Sequence, residues 1–280
     1  MERVCKKAIA TSKPFTFLIG PDQIEYTIHS ALVAHHSSVL SAMVNGLFRE
    51  SSEYSVKWDD IDEIVFNSFW QFVYTGGYDN PEPLPPTVVT LEKEEPKPDD
   101  FEQTHAVSVL DEPAAEPDSI PEAPPDDISS PPAAEETKTE TAAARKTSLW
   151  IDFLFSWDHP SEPVEFDVRL RDCANPLVHH AKVYTLADRY AVTRLMEISH
   201  TKLHQSLTVL PISKEASSDV VELVRYAFEE LVPDRLRDLV VHYIACVVEH
   251  LWNIEEFKEL VEKHGSLSRA LIGTMLLRLD

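Results

Sequence analysis

Between Phe15 and Gly77 the apolar pattern changes period, and that change limits the folds open to the chain. Phe15, Phe17 and Ile19 alternate with Thr16 and Leu18, as in a half-buried strand. Ile24, Tyr26 and Ile28 alternate with Glu25 and Thr27. Gly20-Pro21-Asp22 between them is a reverse-turn signal, so the two runs predict a β-hairpin. The period then lengthens. Ser30 is placed to cap a short helix carrying Leu32 and Val33, and Ser37 or Ser38 to cap the next. Val39, Leu40, Met43, Val44 and Leu47 recur at helical spacing and predict one buried face, with Gly46 as C-cap. Tyr54 to Trp58 alternates as a third strand. Asp60 or Asp62 then caps a helix with Val65, Phe66, Phe69, Trp70 and Val73 on one stripe.

A long interruption follows. From Asp79 to Ser148 there are 18 Asp and Glu against 5 Lys and Arg, a net of −13 out of −23 for the 280 residues. The same segment holds 13 of the 20 prolines and almost no periodic apolar pattern. Such a sequence buries too little apolar surface to offset its ordering entropy, so residues 81–147 are predicted to be a disordered acidic insertion. The acidic balance argues against nucleic acid, which needs clustered Lys and Arg. Cys5, Cys173 and Cys246 are few and far apart and predict free thiols in a reducing compartment. The Met-Glu-Arg-Val-Cys-Lys-Lys start lacks an apolar core, so no secretory signal is expected. The longest apolar run, Leu239 to Trp252, contains His242, Glu249 and His250 and is too short and polar to span a bilayer.

Periodicity resumes at Leu149. Leu149, Trp150, Phe153, Leu154 and Trp157 predict a short amphipathic helix ending before His159-Pro160. Next comes His179-His-Ala-Lys-Val-Tyr-Thr-Leu-Ala-Asp-Arg-Tyr-Ala-Val192, with Ala181, Tyr184, Leu186 and Ala187 suited to close packing. A further helix begins at Val192, Leu195 and Met196 and runs through Leu203 to Leu207. Beyond Pro211 three or four amphipathic helices are expected. Their stripes are Val220 to Ala227, Leu239 to Leu251, Phe257 to Val261, and Leu267 with Leu271, Met275 and Leu276. Pro233 opens one of these helices, and Gly265 separates the last two.

The order of elements from Phe15 to Gly77, ending Phe-Val-Tyr-Thr-Gly-Gly, resembles the first two-thirds of a BTB/POZ domain of the filamentous-fungal type. The segment Ala181-Lys-Val-Tyr-Thr-Leu-Ala-Asp-Arg-Tyr190 resembles a late helix of the same domains. The resemblance covers about 12–80 and 177–210 and implies an α+β fold: a small sheet covered by helices from both blocks, plus a C-terminal helical extension. It divides the chain into an N-terminal block (1–80), the acidic insertion (81–147), helices completing the domain (148–210) and the extension (211–280). Lengthening a surface loop from about five to about seventy residues costs only roughly 2 kcal/mol of chain entropy, so such an insertion is tolerable.

The resemblance implies a protein-interaction module rather than an enzyme, with no cofactor, and a cytoplasmic or nuclear location. In BTB adaptors of cullin ubiquitin ligases, an apolar residue, any residue and Glu, in the loop after the second helix, help grip the cullin. Phe48-Arg49-Glu50 falls in that place, so Phe48 and Glu50 are the candidate partner-binding residues. The bland alternative packs Phe48 on the domain and leaves Glu50 a solvated charge. The chain departs from the family at Pro14, where many members have the Asp that contributes to a strand-exchanged dimer core, and at Ser30, where many have Lys. A homo-oligomeric, self-associating scaffold with no ubiquitin-ligase link is the second reading, and an enzyme of unknown chemistry the third.

Other chemistry has bland readings. His242, Cys246 and His250 recur every four residues, spread over about 80° of helix at 100° per residue. Zinc needs a fourth ligand that no known spacing supplies, so a polar solvated face is expected. The pairs His35-His36 and His179-His180 are expected at a helix surface or interface. The six glycines form no phosphate-cradling loop, and no Gly-x-Ser-x-Gly elbow occurs. Asp59-Asp60 and Asp62-Glu63 suit a helix N-terminus.

Overall fold

The computed structural model describes residues 4–47, 49–79, 149–157, 175–211 and 213–276. The predicted insertion (81–147), Phe48, Cys173 and His159-Pro160 lie outside the described residues. The fold is α+β: a small three-stranded sheet and a larger body of helices.

After a short helix α1 (Lys6–Thr11), strands β1 (Pro14–Ile19) and β2 (Ile24–His29) pair antiparallel, with Phe17 opposite Tyr26 and Ile19 opposite Ile24. Gly20 and Gln23 have positive φ, which closes the turn between them. Helices α2 (Ser30–His36), α3 (Ser38–Asn45) and α4 (Arg49–Glu53) carry the chain to β3 (Ser55–Trp58), which lies parallel to β1. The strand order is therefore β2-β1-β3. The Thr16 N–H bonds the Tyr54 carbonyl and the Gly20 N–H the Trp58 carbonyl, so even-numbered β1 residues face β3 and odd ones face β2. On β2 this leaves the backbone groups of Glu25, Thr27 and His29 pointing off the sheet edge. Helix α5 (Glu63–Thr75) covers two of them. The Trp70 indole donates to the Thr27 carbonyl and the Tyr74 hydroxyl accepts from the His29 N–H, each at 3.4 Å.

The N-terminal elements start and stop for local reasons. Ser37 accepts from the N–H groups of Val39 and Leu40 and caps α3, as expected. Asp62 accepts from Ile64 and caps α5, and Gly76, left-handed at φ 82°, ends it. Helix α2 differs from the expectation: Ser30 is its first residue and His29 its N-cap, because the Ser30 N–H is drawn to the Lys13 carbonyl beside the hairpin. The predicted buried face of α3 also divides. Leu40 and Val44 are buried, whereas Val39 is half-exposed and Leu47 fully exposed at 105 %. Val39 lies about 140° around the helix from Val44, at one edge of the predicted stripe, and Leu47 falls beyond the helix end.

A segment at 149–154, α6, opens the second block. It is followed by α7 (Pro176–Arg189), α8 (Thr193–Val209), α9 (Lys214–Glu229), α10 (Asp234–Leu251), α11 (Glu255–Lys263) and α12 (Gly265–Leu276). Asn175 caps α7 through the N–H groups of Leu177 and Val178, with Pro176 in the first turn. Gly265 begins α12 rather than separating it from α11; the break falls at His264. Met275 and Leu276 are exposed rather than buried, so only Leu267 and Leu271 anchor α12.

The buried side chains form two cores that share α7. In the first, Phe17 sits against the rings of Phe15, Trp58 and Phe66 at centroid distances of 5.0–5.3 Å. Each such buried ring stabilises by roughly 1.5–3 kcal/mol through burial. Val183, Leu186 and Ala187 of α7 complete this core. In the second, Leu177, Ala181 and Tyr184 of α7 meet Phe153 of α6 and the inner faces of α8 to α12. Trp58 of β3 stacks on Tyr190 at 4.2 Å, and the Ser37 hydroxyl donates to the Tyr190 carbonyl at 2.5 Å. Residues on either side of the acidic segment are thereby tied together.

Candidate protein-binding surface

Glu50 was expected in a loop but lies in the first turn of α4. Two interactions close that turn: the Ser51 hydroxyl donates to the Gly46 carbonyl at 2.5 Å, and Arg49 pairs with Glu53 at 2.7 Å. The result fastens α4 to the end of α3. Glu50 is half-buried, and Leu47 projects fully into solvent three residues before it. Val39 adds a second half-exposed apolar side chain on α3. An exposed apolar group beside a carboxylate is an arrangement that a protein partner can desolvate. Leu47 was not singled out from sequence, because the helical spacing assigned it to the buried face.

A second surface runs along the seam between the two cores. A cleft of about 340 Å³ has Ile61, Val65 and Leu186 in its wall and Leu231, 91 % exposed, at its end. A neighbouring cleft of about 480 Å³ extends to the β1–β2 turn. The two share Asp60, Ile61, Asp62 and Lys182. Lys182 pairs with Asp62 at 3.1 Å and Arg189 with Asp60 at 2.5 Å, so α7 is bridged to the turn preceding α5. Asp62 thus has the capping role expected of it, while Asp60 is a bridge to α7 rather than a cap.

His179 and His180, expected at a helix surface or interface, are not at the surface: they are 3 % and 1 % exposed and lie where the two blocks meet. Their rings diverge, as adjacent helical residues must, but each meets a partner from the first block. The Ser68 hydroxyl lies 2.9 Å from His179 Nε2, and the Tyr78 hydroxyl 3.0 Å from His180 Nδ1. Burial lowers the His179 pKa to about 4 and holds that of His180 well below the usual imidazole range. Burial also raises the Tyr78 hydroxyl and lowers Lys202, whose ammonium sits 5.1 Å from the Tyr78 ring centroid. The other pair behaves differently: His35 is exposed and His36 lies half-buried over Phe72 at 4.8 Å.

The His242, Cys246 and His250 series is not one solvated face. His242 meets Phe153 edge-on at 5.4 Å, and the Cys246 thiol lies 3.6 Å from the Leu149 carbonyl, so α6 covers this side of α10. Only His250 of the three is exposed. No cluster of three or more His, Cys, Asp or Glu suited to a metal ion occurs among the described residues. No helix among them is long and apolar enough to cross a membrane. No protein-family model, curated protein or solved structure matches the chain.

Proposed function

We propose that the chain is a protein-binding module of the BTB/POZ type that serves as an adaptor for a cullin ubiquitin ligase, acting in the cytoplasm or nucleus. The observation that carries this reading is the exposed Leu47 beside Glu50 on a turn pinned by the Ser51–Gly46 bond. The α+β arrangement, with a small sheet whose core is completed by α7, supports it. The Ser68–His179 pair, which a nucleophile would need open, is sealed at 3 % exposure for each residue and so offers no nucleophile. Adaptor function is favoured over self-association through β2 because Trp70 and Tyr74 occupy that edge.

The test is a titration of a purified cullin N-terminal domain against the wild type, Leu47→Ala, Phe48→Ala and Glu50→Lys. Circular dichroism serves as the folding control. A desolvated apolar anchor costs about 2 kcal/mol or more when truncated. Phe48→Ala or Leu47→Ala should weaken binding by that amount, and Glu50→Lys should weaken it by like-charge repulsion. A wild type that shows no binding at about 100 µM cullin, where even a weak specific complex of some −5.5 kcal/mol is half-formed, overturns the adaptor reading.

A further inference from the structure

We propose that the seam groove crossing Lys182 is a docking site for a cationic peptide segment of a partner protein, rich in lysine or arginine and carrying an apolar side chain next to the charges. The groove has two distinct ends. At the α9–α10 end, Leu231 stands 91 % exposed beside a wall of Ile61 and Leu186, which suits an apolar side chain. At the hairpin end the lining is Asp22, Asp59 and Glu63 next to Pro21 and Ile24.

Charge decides the class of occupant. Across the two clefts six carboxylates face two cations. Both cations are already engaged, Lys182 with Asp62 and Arg189 with Asp60. The remaining four carboxylates are Asp22, Asp59, Glu230 and Glu63, the last accepting from the Tyr26 hydroxyl at 3.0 Å, and they give the groove a negative excess that no lining lysine or arginine offsets. An anionic or purely apolar segment would meet repulsion or leave these carboxylates facing it unmatched, whereas a cationic one meets complementary charge along its length. Exposed pairs of this kind are individually weak and are screened beyond about 10 Å at 0.1 M salt, so the site gains selectivity from several weak pairs together with one apolar contact. This surface is separate from that of Leu47 and Glu50 and does not rest on the BTB reading.

The experiment uses the full chain and a fluorescein-labelled short peptide of alternating lysine and leucine, with a glutamate–leucine peptide as its counterpart, read by fluorescence anisotropy. Saturable binding of the cationic peptide alone is expected, weakening as salt rises. Asp22→Asn with Asp59→Asn should weaken it about fivefold or more, and Leu231→Ser should weaken it independently. All three side chains are exposed, so the variants keep the fold, with melting curves as the check. A third variant neutralises five carboxylates within 79–148 and should bind as the wild type does. Binding that survives the groove substitutions but is lost in this third variant overturns the proposal, because attraction to the acidic segment then explains it. Absence of binding to the cationic peptide overturns it as well. Cullin titration of the groove variants should match the wild type, which keeps this outcome distinct from failure of the adaptor reading.

Discussion

His179 and His180 make the join between the two blocks sensitive to acid. In the unfolded chain a histidine takes up a proton near pH 6.5. In the folded protein burial keeps both rings neutral, His179 down to about pH 4, with Asp62 favouring its charged form and Lys182 and Lys202 opposing it. Unfolding therefore binds protons between these limits. The stabilisation is fully present above about pH 6.5 and is lost progressively as pH falls toward 4. Each buried histidine should contribute a slope of about 1.4 kcal/mol per pH unit within that window. Urea unfolding of the wild type and His180→Gln at several pH values from 7.5 to 4.5 checks this. Gln retains a group able to bond the Tyr78 hydroxyl, so the variant should lose about one histidine's share of the slope. An unchanged slope would remove His180 from the account. None of this was legible locally, since adjacent polar residues ordinarily mark a surface. Their partners Ser68 and Tyr78 stand 111 and 102 residues earlier in the chain.

At the scale of elements, the N-terminal block was readable because its signals agree. Alternation, turn residues and caps each specify the hairpin, β3 and α5 without help from distant contacts. Helix α3 was misjudged at Val39 and Leu47 because spacing gives the phase of a stripe but not where it stops. Helix α7 escaped periodicity for the opposite reason. Ten of its fourteen residues are buried, because it has a core on each side, and no single stripe marks such a helix. The placement of Glu50 in a helical turn rested on Ser51 reaching back to Gly46, a side chain-to-backbone bond that residue types alone do not announce. The β2 edge gives a prediction at this scale. Removing the two side chains that cover it, by Trp70→Ala with Tyr74→Phe, should expose the outward groups of Thr27 and His29. Concentration-dependent self-association should then appear in size-exclusion chromatography with light scattering. If the double variant elutes as the wild type does at all concentrations, the aromatic pair does not guard the edge.

For the whole molecule, the described contacts join the two blocks without recourse to the acidic segment: Trp58 on Tyr190, Ser37 on Tyr190, and the two histidine pairs. Replacing residues 85–145 by a short Gly/Ser loop should therefore leave one cooperative melting transition within a few degrees of the wild type. A drop of about 10 °C or more, or loss of solubility, would show that the segment carries stability. The shared helix α7 has a further consequence for how the protein is made. The ribosome delivers Phe17, Phe66 and Phe69 early, yet the helix that completes their core emerges only after the 111 residues separating Ser68 from His179. At roughly 5–20 residues per second that interval lasts about 6–22 s, long enough for an incomplete aromatic core to be met by chaperones or by other nascent chains. In ribosome-bound chains stalled before residue 175 the first block should accordingly be degraded rapidly by added protease, whereas in chains stalled well beyond Leu207 it should persist as a protected fragment even where the acidic segment is cut. Equal resistance at both lengths would mean that the first block seals itself before its wall arrives.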